Sequence, residues 1–232
     1  MRYRAVFFDV GGTLVDTAPS FPELFADLVT SAGHPVTAAA VRDASVAVTD
    51  GFSRAARENR LWTTSPERSR AFWVSIYDLM LGALDLPTED GLRETLYRAF
   101  TDRSNYALYG DVAPVLSRLA ADGYLLGIVS NFEAWLDDLL VDLDVRELFD
   151  VRVISGIEGI EKPDPRIYEL ALSRASVEAN EVVYVGDIPE FDVDPPAALG
   201  MFPVLIDRRQ RHADHVGARI TDLADLPGVL DG

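Results

Sequence analysis

From Gly110 to the end of the chain, short apolar runs typical of buried strands alternate with segments whose apolar residues recur at helical spacing. The predicted strands cover residues 124–129, 151–155, 182–185 and 202–206, and the predicted helices cover 112–122, 132–142, 165–174 and 194–199. Strict alternation of strands and helices favours parallel βαβ units, in which helices cover both faces of a central sheet. This part of the chain therefore predicts an α/β fold with a Rossmann-like, doubly wound parallel sheet.

A further buried strand is predicted near the start of the chain, where four apolar residues at 5–8 lead into Asp9, Gly11 and Gly12. An unpaired carboxylate is costly inside a core, so we expect Asp9 at the carboxyl end of this strand, where open α/β sheets bind ligands. The two glycines allow the backbone to turn tightly and to approach a ligand. From these residues alone, a ligand site and a plain turn capped by Asp9 are equal interpretations.

Residues 17–107 show helical patterns and little that is typical of a strand. Apolar residues recur at helical spacing over 21–32, 38–60, 66–84 and 89–100. Thr37, Ser65 and Thr88 are predicted N-caps, because their hydroxyls can accept a hydrogen bond from the first helical turn. We therefore predict two domains, a Rossmann-like core of residues 1–16 and 108–232 and an all-helical domain of residues 17–107.

The composition limits the partners of this 232-residue chain, whose formal net charge is −17. Such an acidic chain is not expected to bind nucleic acid or an anionic membrane, and an anionic substrate would need local cations or a metal. The absence of cysteine excludes disulfides and thiolate metal sites. The early apolar run is too short to span a bilayer and lacks the shape of a secretory signal. We expect a cytoplasmic protein that is a monomer or a homodimer.

Polar side chains follow three of the later strands, just as Asp9 follows the first. These residues are Ser130 with Asn131, Lys162, and Asp187 with Asp192. Because the carboxyl ends of parallel strands meet at one edge of a sheet, we expect these side chains to converge with Asp9.

The basic residues are almost all arginine, since Lys162 is the only lysine among 21 lysines and arginines. A position that keeps lysine suggests a need for a compact point charge, and chance survival of one surface lysine is the alternative. Arg208, Arg209 and Arg211 form a basic run that we predict to be solvated, with anion recruitment as the alternative.

In this order, the motifs resemble those of the haloacid dehalogenase superfamily over nearly the whole chain. Residues 9–13 are similar to its nucleophile motif, Ser130 to its second motif, Lys162 to its third, and Asp187 with Asp192 to its acidic fourth motif. The stretch 17–107 resembles the helical cap that the family inserts after the first motif, a C1-type cap.

The resemblance implies phosphoryl transfer, with Asp9 as the nucleophile and Ser130 and Lys162 as groups that bind the transferring oxygens. The cap would exclude water and select the substrate. The resemblance also implies a Mg²⁺ ion, whose expected ligands are Asp9, the carbonyl of Gly11, Asp187 and Asp192. A small phosphorylated metabolite is the expected substrate, and its expected further contacts are Gly12, Thr13 and Asn131.

One position departs from the phosphatases of that family, which carry an aspartate two residues after the nucleophile as a general acid and base. This chain has Gly11 there. Positioned proton transfer contributes about 10²–10⁴-fold, so its loss matters for alkyl leaving groups and little for aryl or acyl phosphates. Two alternatives therefore stay open. One is a metal-independent hydrolase like the 2-haloacid dehalogenases, which residues 162–168 also resemble, and the other is a catalytically impaired relative that binds or scaffolds.

Overall fold

The computed structural model describes residues 2–45 and 61–231. The chain divides into two compact units, one of Met1–Val15 with Leu108–Gly232 and the other of Asp16–Ala107. The functions of these units, as a hydrolase core and a cap, stay predictions.

The first unit is built on a six-stranded parallel sheet. The strands of the described residues are β1 (Ala5–Phe8), β2 (Val15–Thr17), β3 (Tyr106–Leu108), β4 (Leu125–Ser130), β5 (Val151–Ile154), β6 (Val182–Gly186), β7 (Phe202–Ile206) and β8 (Ala218–Ile220). The order across the large sheet is β5-β4-β1-β6-β7-β8, with every neighbouring pair parallel, and β2 pairs with β3 in a separate two-stranded sheet. The predicted α/β fold is confirmed.

Eleven α-helices lie within the described residues. They are α1 (Phe21–Ser31), α2 (Ala38–Ala44), α3 (Pro66–Ala83), α4 (Asp90–Phe100), α5 (Val112–Ala121), α6 (Leu136–Asp142), α7 (Ser155–Glu158), α8 (Pro165–Ala175), α9 (Pro189–Asp192), α10 (Asp194–Leu199) and α11 (Leu226–Leu230). None of these described helices combines the length and the hydropathy that a bilayer-spanning segment needs.

Strand β1 is the centre of the large sheet, and its four residues are fully buried. Ala5 lies opposite Leu125 of β4 on one side and Val182 of β6 on the other. Strands β4 and β5 lie on one side of β1, and β6, β7 and β8 lie on the other. The carboxyl end of β1 is therefore a topological switch point, where open sheets leave a crevice for a ligand. Helix α8 packs on β4 and β5 and contributes side chains to the core of this unit.

The second unit has an apolar core of its own, formed by α1, α2, α3 and α4. The ring of Phe100 lies 4.9 Å from that of Phe21 and 5.7 Å from that of Tyr77, measured between centroids. Thr37 and Ser65 accept backbone hydrogen bonds as N-caps, as predicted. The prediction that Thr88 is an N-cap is wrong, because α4 begins at Asp90 and its N-cap residue is Glu89.

Other elements also differ from the sequence-based expectations. The helix expected over 132–142 begins at Leu136. Helix α2 ends at Ala44 with Ser45 as its C-cap, and residues 46–60 of the helix predicted over 38–60 lie outside the described residues. Strand β8 was not expected, since its three residues form no apolar run long enough to predict a strand.

Candidate active site

The predicted site residues of the first unit converge at the carboxyl edge of the large sheet. Asp9 directly follows β1, Ser130 is the last residue of β4, and Asp187 directly follows β6. The hydroxyl of Ser130 donates to Oδ1 of Asp9 at 3.0 Å, and the ammonium of Lys162 donates to the same oxygen at 2.8 Å. Neither of these donors binds Oδ2 of Asp9, so one oxygen of this carboxylate is fixed while the second is left out of both hydrogen bonds.

Lys162 is a buried cation held between two carboxylates. Its side chain is 2% exposed, and Nζ lies 2.8 Å from Oδ1 of Asp9 and 2.6 Å from Oδ1 of Asp192. Burial alone would lower the pKa of the ammonium, but the charges of Asp192 and Asp9 outweigh it and hold this pKa above its ordinary value. Lys162 therefore keeps its positive charge beside Asp9 at any physiological pH.

Asn131 fixes the backbone that carries this lysine. Its Nδ2 donates to the carbonyl of Lys162 at 2.8 Å, and its Oδ1 accepts the Lys162 N–H at 2.6 Å. Both ends of the amide are thus engaged with the main chain of Lys162. A contact between Asn131 and a substrate stays a prediction, whereas its contact with Lys162 is part of the fold.

Asp192 lies beneath Lys162 and has hydrogen bonds to both carboxylate oxygens. Its Oδ1 accepts from Lys162, its Oδ2 accepts the Ile188 N–H at 3.0 Å, and the Tyr184 hydroxyl oxygen lies 3.3 Å from Oδ1. Burial and the charge of Asp9 raise the pKa of Asp192 to about 6, although Lys162 opposes this increase. This geometry favours Asp192 as the residue that orients Lys162.

The three aspartates also form a group that can hold a metal ion. Asp9, Asp187 and Asp192 each have a carboxylate oxygen within 4.8 Å of the others. Oδ1 of Asp187 is buried without a hydrogen-bond partner, and burial followed by the charges of Asp9 and Asp192 raises the pKa of Asp187 well above its ordinary value. A hard divalent cation would supply the missing partner and offset the repulsion, so these residues fit Mg²⁺.

The turn after Asp9 brings backbone close to this group. Gly12 has φ of 76°, and a Cβ at this position would lie 2.5 Å from Oδ2 of Asp187, so only glycine fits. Thr13 has a fully buried side chain whose hydroxyl has no hydrogen-bond partner. Substrate roles for both residues stay predictions.

Gly11 is solvent-exposed and has room beside it. A Cβ built there would meet only Cε2 of Phe132, at an ordinary van der Waals distance of 3.9 Å. The ring of Phe132 packs edge-on against Trp135, with 4.8 Å between centroids. An aromatic ring thus lines the space where the family's phosphatases carry a carboxylate.

Two groups around the site were missed or misjudged from the sequence. Tyr184, in the middle of β6, donates to the carbonyl of Val129 at 2.9 Å and contacts Asp192. The sequence places Tyr184 inside a predicted buried strand, and a buried tyrosine hydroxyl usually has a hydrogen-bond partner, so this position was a signal that could have been used. The prediction that Arg208 is solvated is wrong, because its side chain is only 10% exposed and pairs with Asp111. Arg209 and Arg211 are exposed.

A family comparison accounts for this arrangement. The family model of haloacid dehalogenase-like hydrolases matches residues 3–200. The chain belongs to this family. The resemblance inferred from the motifs is therefore confirmed, and the chain is a hydrolase by family.

The curated relatives include proteins named as phosphatases. The chain is 33% identical over 141 residues to haloacid dehalogenase-like hydrolase domain-containing protein 3 of Mus musculus, covering 60% of this chain and 56% of the relative. It is 32% identical over 139 residues to a phosphoserine phosphatase of Thermus thermophilus, covering 60% and 56%. It is also 32% identical over 155 residues to a glyceraldehyde 3-phosphate phosphatase of Methanopyrus kandleri, covering 65% of each. These matches span 56–65% of each relative's length, so the substrate and the activity of this chain are proposals.

Solved structures of family members share the fold over their full length. The HAD hydrolase YfnB of Bacillus subtilis superposes with a TM-score of 0.78 at 18% identity, covering 100% of both chains. A HAD phosphatase of Thermococcus onnurineus gives a TM-score of 0.64 at 25% identity, covering 99% of this chain and 98% of that one.

Proposed function

We propose that this chain is a Mg²⁺-dependent phosphatase that hydrolyses a small phosphorylated metabolite through an aspartyl-phosphate on Asp9. The arrangement around Asp9 carries the proposal. Ser130 and Lys162 hold one oxygen of this carboxylate, and Asp187 beside it has a buried oxygen without a hydrogen-bond partner. The phosphatase names of the relatives from Thermus thermophilus and Methanopyrus kandleri support the same reaction.

The reaction would proceed in two displacements at phosphorus. Oδ2 of Asp9 attacks the phosphorus, the bond to the leaving oxygen breaks, and an aspartyl-phosphate forms. Water then attacks the same phosphorus, the bond to Asp9 breaks, and inorganic phosphate leaves. Lys162 and Ser130 keep Asp9 oriented and offset negative charge on the transferring oxygens.

The metal ligands in this proposal are Asp9, the carbonyl of Gly11 and Asp187, with Asp192 close by as a fourth candidate. When bound, Mg²⁺ would neutralise part of the phosphate charge and so lessen its repulsion from the carboxylates. Asp192, whose oxygens are both hydrogen-bonded, would act through Lys162.

We also propose domain functions that follow from the family. Residues 1–16 and 108–232 would form the hydrolase core that carries the reaction, and residues 17–107 would form the cap that selects the substrate.

Gly11 gives this phosphatase a preference for good leaving groups. A leaving group whose conjugate acid has a low pKa, such as a phenol or a carboxylic acid, departs as an anion without a proton donor. An alcohol has a high pKa, so its oxygen needs a proton as the bond to phosphorus breaks. We therefore expect aryl and acyl phosphates to be hydrolysed faster than alkyl phosphates.

Gly11→Asp is expected to raise kcat for an alkyl phosphate by about 10–10²-fold, because positioned acid catalysis contributes about 10²–10⁴-fold where geometry is ideal. The space around Gly11 accepts a side chain, with Phe132 as its nearest neighbour at 3.9 Å. Turnover of an aryl phosphate is expected to change by less than about 3-fold, since its leaving group needs no proton. Steady-state kinetics on the two substrates provide the measurement.

The control is Gly11→Asn, which has nearly the same shape and cannot donate a proton as an acid. Equal gains from asparagine and aspartate would mean that the gain comes from shape, and no gain with aspartate would remove Gly11 as the cause of the leaving-group preference.

Mg²⁺ is expected to stabilise the protein, and to do so more at neutral than at acidic pH. The folded-state pKa of Asp192 is about 6, above its ordinary value of 3.8, so the metal-free fold takes up a proton that the unfolded chain releases. Its free energy of unfolding therefore falls as pH rises from about 4 to about 6. A bound cation favours the charged carboxylates and offsets this loss, adding about 2.7 kcal/mol at 100-fold excess over Kd.

Thermal unfolding with and without Mg²⁺, at about pH 5 and about pH 7.5, measures this effect. Asp187→Asn should remove the Mg²⁺ shift while leaving the metal-free protein at least as stable. Asp137→Asn is the matched control, because Asp137 pairs with Arg146 and Arg152 and is not part of the group of Asp9, Asp187 and Asp192. A Mg²⁺ shift that survives Asp187→Asn would contradict the assigned ligands.

The proposed function itself is tested with purified protein and an aryl phosphate, with Mg²⁺ or with a chelator. We expect turnover only with Mg²⁺. Chloride release from 2-chloropropionate in the presence of the chelator would instead establish a dehalogenase, and metal binding without turnover of any phosphate ester in a broad panel would establish a binding relative.

A further inference from the structure

Arg208 lies in a buried network that touches the turn after Asp9. Its guanidinium forms two hydrogen bonds with Asp111, from Nη1 to Oδ2 at 2.8 Å and from Nη2 to Oδ1 at 3.0 Å. The side chains of Arg208 and Asp111 are 10% and 9% exposed. Such a bidentate pair fixes the plane of the guanidinium as well as its position.

The same guanidinium also binds the nucleophile turn. Its Nε and Nη2 donate to the carbonyl of Thr13 at 3.0 and 2.9 Å, and its Cζ lies 4.0 Å from the centroid of the Tyr109 ring. Only a planar fork with several donors can serve Asp111, Thr13 and an aromatic face together, so a lysine would not replace it.

Asp111 is held by more than this pair. Its Oδ2 also accepts the N–H of Leu223 at 2.6 Å. Burial would raise the pKa of Asp111, but Arg208 and the Leu223 N–H outweigh it and keep this pKa below its ordinary value. Arg208 is therefore anchored to a carboxylate that stays charged.

Thr13 lies in the middle of a tight turn. The carbonyl of Val10 accepts from the N–H groups of Thr13, Leu14 and Val15 at 3.2, 2.8 and 3.0 Å, and the N–H of Gly12 donates to Val15 at 2.8 Å. This turn starts directly after Asp9 and contains Gly11, whose carbonyl is a proposed metal ligand, and Gly12, which lies against Asp187. A shift of the turn would therefore move the Gly11 carbonyl and Gly12 relative to the carboxylate of Asp9.

We propose that Arg208 is a positioning residue, which holds the turn of residues 10–15 against the body of the first unit through the Thr13 carbonyl and so sets the geometry around Asp9. Its effect on catalysis rests on the proposed phosphatase function, whereas its effect on the turn does not. A misplacement of reacting groups by about 1 Å can cost about 10²-fold in rate.

The test compares Arg208→Ala and Arg208→Lys with Arg219→Ala. Arg219 pairs with buried Asp207 at 2.9 Å, so its loss also removes an ion pair next to Arg208 but leaves the turn untouched. Both Arg208 variants are expected to lower kcat by about 10²-fold with KM changed less than about 3-fold, and Arg219→Ala to change kcat less than about 3-fold.

Two further readouts separate positioning from loss of stability. Amide hydrogen exchange of the peptide that covers residues 10–15 is expected to speed up by at least about 10-fold in Arg208→Ala, with β5 unchanged. Guanidinium ion at millimolar concentration should fill the vacated site and restore kcat and exchange protection, and ammonium should not.

The outcomes distinguish the two proposals. Absence of turnover in the wild-type protein would overturn the phosphatase function and leave the exchange measurement to judge Arg208. Unchanged exchange over residues 10–15 in folded Arg208→Ala would overturn the positioning role. So would losses of the same size in Arg219→Ala, or an exchange increase that guanidinium does not reverse.

Discussion

Asp9→Asn is expected to lower kcat for an aryl phosphate by at least about 10³-fold, because the amide oxygen is a far weaker nucleophile than a carboxylate. The substitution preserves the shape of the site. The amide oxygen can still accept from Ser130 and Lys162, whose donor atoms lie 3.0 and 2.8 Å from Oδ1 of Asp9 in the wild-type protein. The loss would therefore report the missing carboxylate.

The stability of this variant is expected to change in the opposite direction. The charge of Asp9 raises the pKa of both Asp187 and Asp192, so its removal relieves repulsion in the buried group. We expect the metal-free Asp9→Asn protein to have a Tm equal to or above that of the wild type at neutral pH. Gain of stability with loss of activity is typical of a site residue.

Asp150→Asn is the matched control for Asp9→Asn. Asp150 accepts the N–H of Leu126 at 3.0 Å beside the amino ends of β4 and β5, so it lies at the opposite edge of the sheet. Its replacement should leave kcat within about 3-fold. Retention of wild-type turnover by Asp9→Asn would show that the reaction uses another nucleophile.

Lys162→Met is expected to have the largest combined effect on activity and stability. Removing one partner of a buried ion pair costs about 3–5 kcal/mol, because the remaining charge stays buried without compensation. Here Asp9 and Asp192 would both lose the ammonium that lies 2.8 and 2.6 Å away. Turnover should fall by about 10²–10³-fold, since the charge beside the transferring oxygens is lost.

The stability loss depends on pH in a defined direction. The pKa of Asp192 is about 6 even with Lys162 present, and the loss of the ammonium would raise this pKa further. Near pH 5, Asp192 is then protonated and needs no counter-charge, so the loss of free energy of unfolding should be smaller than at about pH 8. Denaturant titrations at the two pH values measure the difference.

Two variants test the specificity of the Lys162 effect. Lys162→Arg should not restore activity, because the planar guanidinium is larger than the ammonium and the site is 2% exposed. Arg174→Met removes a pair with Glu158 from a side chain that is 39% exposed, so it should cost less than about 1 kcal/mol. A Lys162→Met protein with wild-type stability at neutral pH would contradict the buried network.

The edge of the sheet that holds the site could be predicted from the sequence, because its determinants are local. Apolar runs of strand length end at Asp9, Ser130 and Asp187, and parallel strands bring such ends together. Lys162 stood out because it is the only lysine in the chain. Order and spacing of these residues were sufficient to infer the family.

The partners of the supporting residues could not be predicted, because they come from distant parts of the chain. The amide of Asn131 binds the backbone of Lys162, 31 residues away, and Arg208 binds Thr13 across 195 residues. A basic run near the end of the chain has the same local pattern whether it is solvated or buried. The parallel order β1-β6-β7 brings Arg208, which follows β7, back to the turn that follows β1.

In the proposed reaction, Asp9 becomes phosphorylated during turnover. Acid quenching during turnover of an aryl phosphate, followed by peptide mapping, measures this directly. We expect one hydroxylamine-labile phosphoryl group on the peptide that contains Asp9, formed with Mg²⁺ and absent with a chelator. Phosphate release at an undiminished rate by the Asp9→Asn variant, or a phosphoryl group on a different residue, would contradict it.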